Sequence, residues 1–264
     1  MPEGDILRRT ATRLDLALAG RILTRAELRW PTVAEVDLVG RAVLGTRSYG
    51  KHLLTRFDDG RTLHTHLRME GSWAVARTGS PAAAGRGSTV RVVLGESTWS
   101  AVGRRIGMLD VLRTRDEHTL IGHLGPDLLA PDFPDTGLAE ALRRLTTRAQ
   151  APIAEVLLDQ RVTAGIGTIF AAESLFARGI WPWTPADRVG DPAALLLAAR
   201  TLMLRSVAAP VPTSPGGGHR PTSLVYGRAH HPCRRCGTPI AEGRAFKPPM
   251  DRPLYYCPAC QPQR

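Results

Sequence analysis

Asp159-Gln-Arg-Val-Thr-Ala-Gly-Ile-Gly-Thr168 stands between two runs of helical pattern, Pro152 to Leu158 and Ile169 to Arg178. Its glycines make a double turn that runs straight into the following helix. Such a turn exposes backbone amides at a helix N-terminus, a ready site for one phosphate. Glycine pairs also serve as plain helix caps, so the stretch takes its meaning from what surrounds it.

Helical patterns continue on both sides, from Gly137 to Thr147 and from Pro192 to Val207. Upstream, the change of pattern falls across Leu124-Gly-Pro-Asp-Leu128 and the Pro-rich Ala130-Pro-Asp-Phe-Pro134, which reads as a domain boundary. Before it, from Arg21 to about Val111, short β-type runs are broken by Gly: Arg41–Gly45, His52–Phe57, Thr62–His66, Ser72–Ala76, Thr89–Leu94 and Thr98–Val102. Alternation with regular turn signals predicts an antiparallel sandwich. Arg77 to Gly87, with its Gly, Ser, Pro and Ala, reads as a mobile hairpin loop. Residues 5 to 19 read as a helix, with Asp5 placed to cap or favour its first turn. The chain is therefore α+β. Downstream, Ala208 to Thr222 has no apolar period and reads as a linker.

All four cysteines follow that linker, as Cys233-Arg-Arg-Cys236 and Cys257-Pro-Ala-Cys260. Two Cys-x-x-Cys knuckles offer two thiolates each and close a tetrahedron, the signature of a ribbon around one structural zinc ion. The alternative, two disulfides, sits poorly with a chain that shows no secretion signal.

The 264 residues suffice for two domains and a small appendage, at ~100–200 residues per domain. Lys and Arg number 35 against 24 Asp and Glu, a formal net charge of +11. A surplus of that size points to a polyanion, either nucleic acid or an acidic membrane face. No apolar run reaches the ~18 residues of a membrane span. A basic, then apolar, then small-residue cleavage pattern is also missing from the start. The expectation is a soluble protein of the cytoplasm, associated with the nucleoid, that meets nucleic acid as a monomer and has no membrane partner.

The start itself, Met1-Pro2-Glu3-Gly4-Asp5, carries chemistry. An initiator Met before Pro is normally trimmed, which leaves a secondary amine on Pro2. Model α-amino groups titrate near pH ~8 against ~10.4 for Lys, so an N-terminal amine holds far more of its unprotonated, nucleophilic form. Attack on a sugar or aldehyde carbon gives an iminium with a fixed positive charge, an electron sink for elimination. Glu3 supplies a carboxylate able to shuttle protons.

Taken together, these residues resemble the formamidopyrimidine-DNA glycosylase and endonuclease VIII family of DNA repair enzymes, on its endonuclease VIII-like branch. The resemblance covers nearly the whole chain. It rests on Pro2-Glu3-Gly4, Tyr49-Gly-Lys-His-Leu-Leu54, His66-Leu-Arg-Met-Glu-Gly71, Leu124-Gly-Pro-Asp127, the Leu158–Thr168 stretch, Val225-Tyr-Gly-Arg228, and Arg252 followed by Tyr256-Cys-Pro-Ala-Cys-Gln261. The implied fold is an N-terminal helix and β-sandwich (1–124), a helix-two-turns-helix domain (125–210), and a linker with a four-cysteine zinc finger (211–264). DNA is expected between the first two domains, with the damaged nucleotide flipped out, since the anomeric carbon of a stacked nucleotide is out of reach.

By the same resemblance, Pro2 is the nucleophile on C1′ and Glu3 the proton shuttle, while Lys51 touches phosphate beside the lesion. The Gly167 and Thr168 turn and Arg252 grip phosphates, the guanidinium fork suiting that task. Met69 fills the gap in the base stack as an apolar wedge, and Arg104, in Gly103-Arg-Arg-Ile-Gly107, faces the opposite base. The chain departs from the family pattern at Ile6, where many relatives have a second glutamate, at Thr168 for Asn, at Ile106 for an aromatic and at Leu254 for Thr. The implied activity is bifunctional, a glycosylase and AP lyase acting on damaged DNA. A short connection before Val225-Tyr-Gly-Arg228 favours oxidised pyrimidines. The rival is a DNA-binding protein that recognises damage or abasic sites on the same scaffold without cleaving.

Overall fold

The structure, a computed structural model, describes residues 2–209 and 223–263; Met1, residues 210–222 of the expected linker and Arg264 lie outside them. The chain divides into two compact units, Met1–His123 and Leu124–Arg264.

The first unit opens with helix α1 (Gly4–Leu18), whose Leu7, Ala11, Leu14 and Leu18 are buried at helical spacing. Behind it are two four-stranded antiparallel sheets. One orders β1 (Arg25–Leu28), β6 (Val90–Gly95), β7 (Trp99–Arg104) and β5 (Ser72–Arg77); the other orders β2 (Val43–Tyr49), β3 (His52–Phe57), β4 (Arg61–His66) and β8 (Met108–Arg113). Leu53, Phe57, Leu63 and Leu109 from the second sheet share one core with Val92, Leu94 and Ala101 from the first and with the buried face of α1. Asp15 of α1 pins the helix to β2 by accepting the Thr46 N–H at 2.7 Å.

Two strands were absent from the sequence reading. β1 is Arg-Ala-Glu-Leu, an edge strand in which only Leu28 is buried, so it carries almost no apolar alternation. β8 has a buried Leu109 but half-exposed neighbours on both sides. The Arg77–Gly87 segment, read as a mobile loop, is tied down. It holds a 3-10 turn at Pro81–Ala84 with Ala83 buried, and the Arg25 guanidinium donates to the carbonyls of Ala83 and Ala84 at 3.1 and 3.0 Å.

A four-residue helix, α2 (His118–Ile121), closes the first unit. The second contains α3 (Leu138–Thr146), α4 (Ile153–Leu158), α5 (Thr168–Arg178) and α6 (Pro192–Ala208), then a hairpin of β9 (Ala241–Ala245) and β10 (Arg252–Tyr256). The units meet in sequence at His123 and Leu124, ahead of the Pro-rich stretch that was expected to mark the boundary. Leu128, Leu129 and Phe133 are buried in the core of the second unit, so those prolines shape its first turns instead of linking domains.

Helix ends are set locally. Asp191 caps α6 by accepting the Ala194 N–H at 2.8 Å, with Pro192 as its first residue, and Gly179 ends α5 at φ +66°. The ribbon belongs to this same unit. Gln261 reaches Ile180 O at 2.8 Å, Glu155 accepts the Phe246 N–H at 2.9 Å, and the Trp183 indole donates to Arg244 O at 3.1 Å.

Candidate active site and metal centre

In the first unit, Glu3 is the residue that caps α1 and is fully buried, its carbonyl accepting from the amides of Ile6 and Leu7 at 2.9 and 3.3 Å. A carboxylate at that place is favoured by the helix dipole. Pro2 beside it is half-buried. Lys51 lies in the two-residue turn between β2 and β3, whose register pairs Tyr49 with His52 and puts Gly50 at φ +54°. Only a left-handed residue at 50 closes so tight a hairpin, which fixes where Lys51 stands.

Next to that turn is a group of histidines. His52 faces His66 across β3 and β4, and His64 faces Asp110 across β4 and β8. His52 Nδ1 is 2.8 Å from His64 Nε2, and His64 Nδ1 is 3.1 Å from Asp110 Oδ2. Burial, reinforced by the charge of the other two histidines, pushes His52 down to about 3. Burial and then the charges of Arg68, His64 and Lys51 push His66 down to about 4, so Lys51 and His66 sense one another. Further along the same sheet, buried Glu117 takes hydrogen bonds from Arg56 at 2.6 and 2.8 Å, Arg47 at 2.8 Å and Thr62 at 2.8 Å. Burial would raise its carboxyl, but those bonds win and hold it at about 2.

Met69 is 66 % exposed, on the turn that leaves β4. Arg68 before it has φ +53°, and its N–H is accepted by His66 Nδ1 at 2.9 Å. Gly71 closes the turn, because a Cβ there would lie 2.4 Å from Leu67 O. Arg104 ends β7, and its guanidinium donates to Arg86 O at 3.0 Å. Ile106 is buried in the sandwich core against Gly103, so the aromatic-to-Ile departure sits in packing and not at an exposed tip. The exposed residue of that turn is Arg105, at φ +48° and 3.4 Å from Glu70. Ile6, the other departure in this unit, packs half-buried against the same core.

In the second unit, the Leu124–Asp127 stretch and the double turn are two halves of one structure. Gly125 N donates to Gln160 O, Ala164 N to Pro126 O and Leu128 N to Ala164 O, at 2.8, 2.9 and 3.0 Å. A Cβ on Gly125 would lie 2.3 Å from Val162 O, so only glycine permits this approach. Gln160 staples the turn from within: its amide donates to Leu158 O and Ile166 O, and its carbonyl accepts from Gly165, which has φ +111°. The turn delivers Gly167 as the extended cap of α5 and a buried Thr168 as its first residue.

Arg252 opens β10, with one guanidinium nitrogen donating to the carbonyls of Met250 and Asp251 at 3.1 and 2.9 Å. The ligand atoms of Cys233, Cys236, Cys257 and Cys260 lie within 4.8 Å of one another, and none is in a disulfide. Three sulfur pairs measure 4.0, 3.4 and 3.5 Å. A tetrahedral metal with bonds of ~2.3 Å to sulfur needs thiolates about 3.8 Å apart. The amides of Arg235 and Cys260 point at Cys233 Sγ and Cys257 Sγ at 3.4 Å, as knuckles around a metal require. The cluster therefore fits one metal ion and not the alternative of two disulfides.

Residues 1–109 match the model of the formamidopyrimidine-DNA glycosylase N-terminal domain, and residues 124–210 that of the formamidopyrimidine-DNA glycosylase H2TH domain. The chain is 44% identical, over 99% of its length and 94% of the relative's, to a probable endonuclease 8 2 of Streptomyces coelicolor. The chain belongs to the formamidopyrimidine-DNA glycosylase family. Within that family it is also 38% identical, over 99% of both chains, to the DNA-(apurinic or apyrimidinic site) lyase Nei2 of Mycolicibacterium smegmatis. A formamidopyrimidine-DNA glycosylase of Gluconobacter oxydans is 32% identical over 90% of each chain. The fold matches a crystal structure of Lactococcus lactis formamidopyrimidine-DNA glycosylase bound to DNA containing an AP site, with TM-score 0.81, 21% identity and coverage of 99% of this chain and 100% of that one.

Several residues of this family member escaped the sequence reading. His64 and Asp110 sit on neighbouring strands; the spacing in Thr62-Leu-His-Thr-His66 puts both histidines on one face but gives no sign of Asp110 or His52 beside them. Glu117 and Gln160 gave none, since each acts on partners brought to it by the fold. Glu173 is another: its carboxylate accepts the amides of Leu224, Val225 and Tyr226 at 3.0, 3.0 and 2.9 Å, anchoring the Val225-Tyr-Gly-Arg228 turn on α5.

Proposed function

We propose that the chain is a base excision repair enzyme, a DNA glycosylase and AP lyase that excises oxidised bases, pyrimidines in preference, through a Schiff base on Pro2. The observation that carries this reading is the buried Glu3 at the head of α1 beside Pro2, in a chain whose endonuclease 8 relatives match it over 99% of its length. Their identities of 39–44% exceed the 32–35% of the formamidopyrimidine-DNA glycosylases, which supports the pyrimidine branch.

With Met1 removed, the Pro2 nitrogen attacks C1′ of the flipped nucleotide. The C1′–base bond breaks, the base leaves with a proton, and Glu3 protonates the ring oxygen so that the sugar opens to an iminium. The iminium acidifies C2′–H, and loss of that proton expels the 3′ phosphate. Loss of the C4′ proton then expels the 5′ phosphate, and water releases the remnant from Pro2. Lys51, the Gly167 and Thr168 turn and Arg252 hold phosphates, Met69 fills the vacated stack, and Arg104 faces the opposite strand. A structural zinc on the four cysteines fixes the hairpin that carries Arg252. The enzyme works as a monomer in the cytoplasm, on the nucleoid.

The test is excision from a panel of duplexes, each with one oxidised pyrimidine, one oxidised purine or a preformed abasic site. Pyrimidine lesions should be excised at least tenfold faster than purine lesions. Glu3→Gln should lower excision 100-fold or more but cleavage of the abasic duplex less than tenfold, since there the sugar is already partly open. Faster excision of the purine lesions would overturn the substrate assignment.

A further inference from the structure

Buried His64 and half-buried His52 and His66 have no task in the proposed reaction, yet they form a continuous chain. It starts at Asp110, whose side chain is 44% exposed, and passes through fully buried His64 to His52. His52 in turn meets His66 edge-on, at 4.9 Å between ring centroids and an interplanar angle of 77°. His66 Nδ1 accepts the N–H of Arg68 at 2.9 Å. Arg68 is a non-glycine residue at φ +53°, a conformation that needs outside support. Its side chain lies over Gly107, where a Cβ would come within 2.1 Å of it, and ends 3.1 Å from Met108 Sδ. The next residue is Met69.

The proton positions follow from the bonds. An ionised carboxylate only accepts, so His64 carries its proton on Nδ1 toward Asp110 and offers the Nε2 lone pair to His52 Nδ1–H. His66, accepting at Nδ1, carries its proton on Nε2. Burial lowers the basicity of all three rings and so favours their neutral forms. A doubly protonated His66 has no lone pair left for Arg68 N–H.

We propose that Asp110 and His64 are positioning residues: through His52 they seat His66, whose Nδ1 holds the Arg68 turn and so sets where Met69 is presented to DNA. The effect on DNA rests on the reading of Met69 as the residue that enters the base stack; the effect on the turn does not. A polar cluster that merely packs beneath the sheet would change stability without singling out that turn.

Two measurements on the free, full-length protein test the turn. Imidazole 15N shifts should show His64 protonated at Nδ1 and His66 at Nε2; the opposite tautomers overturn the proposal. In Asp110→Ala, the Arg68 amide should exchange at least tenfold faster and the Met69 methyl resonance should move, while Asp110→Asn, which keeps an acceptor oxygen, stays close to the parent. No change at Arg68 in a folded Asp110→Ala protein overturns it as well. On a duplex with an abasic site, Asp110→Ala should raise KM about fivefold and leave kcat within twofold. In a Met69→Ala background the same change should add nothing, because residues acting as one unit are not additive. An equal KM rise in both backgrounds overturns the proposal. If Met69→Ala alone has no effect on duplex DNA, the wedge reading fails, and the tautomer and exchange results still decide the positioning claim.

Discussion

Arg252 uses one guanidinium nitrogen on two carbonyls of its own turn, a contact that sets the plane of the fork before any DNA arrives. A guanidinium offers five donors in a rigid plane, so a pre-set fork loses little freedom when it takes a phosphate. In the proposed role it positions DNA and carries no sequence information. Arg252→Ala should weaken binding by about tenfold for every lesion type and reduce the slope of log affinity against log salt by about one, the signature of one lost phosphate contact. Fluorescence anisotropy at several salt concentrations measures both; a loss confined to one lesion type would contradict the role. Thr168 is legible at this same scale. It is buried as the first residue of α5, and its side chain is shorter than the Asn usual at this place in the family. For Leu254, fully buried in the helical core, the replacement of Thr by an apolar side chain is a packing choice.

Among the elements, the ribbon and the histidine strands make separate predictions. The ribbon has little core of its own: Val225, Ile240, Cys233 and Cys257 pack with Ala172 and Phe176 of α5, while Ala245 and Leu254 of the hairpin join the core of the helices. Small modules of this kind depend on the metal for folding. Cys257→Ser should therefore lower bound zinc from one per chain to near zero by mass spectrometry, expose the hairpin to proteolysis and weaken DNA binding, while leaving the first unit's fold unchanged. Retention of one zinc would contradict the assignment. The strands β3 and β4 predict an acid response. His52 and His66 are held at about 3 and about 4, below the ~6.5 of a free histidine. Between those values the unfolded chain binds protons that the folded chain refuses, so their contribution is complete above pH ~6.5 and is lost as pH falls toward 3. Lys51, Arg68 and His123 add repulsion to this group, and Asp110 opposes it at His64. Chemical denaturation of the isolated first unit's signals should show stability falling from pH 6.5 downward, with a shallower fall in His52→Gln. A flat profile from pH 6.5 to 4.5 would contradict the burial of neutral histidines.

The elements also show what the sequence made visible. The helices α1 and α3 to α6 and six strands were readable because each carries its own period, 3.6 or 2, in apolar residues. β1 was not, because Arg25, Ala26 and Glu27 owe their strand conformation to pairing with β6 and not to any pattern of their own. The cysteine cluster was fully legible from spacing, since two knuckles dictate four ligands. The Asp110, His64, His52 and His66 chain was not, for its members come from three strands and only the register of β3, β4 and β8 brings them together.

At the scale of the whole molecule, a net charge of +11 is the long-range term that draws the chain to a polyanion, and family membership accounts for which one. Neither property separates an enzyme from a protein that grips damage without cutting. That distinction comes down to Pro2 and Glu3, the one half-buried beside the other, which is fully buried. Nucleophilic catalysis by Pro2 requires a free secondary amine, whereas binding does not.

The direct measurement is borohydride trapping on a duplex with a single abasic site, comparing the protein that begins at Pro2 with one that retains Met1 or an N-terminal tag. Reduction of the iminium should give a stable protein–DNA adduct with the Pro2-terminated protein, and peptide mapping should place it on Pro2. The blocked protein should bind the same DNA within about twofold and form no adduct. Trapping of the blocked protein at the rate of the free one would contradict the account and transfer the nucleophile to a lysine, Lys51 first.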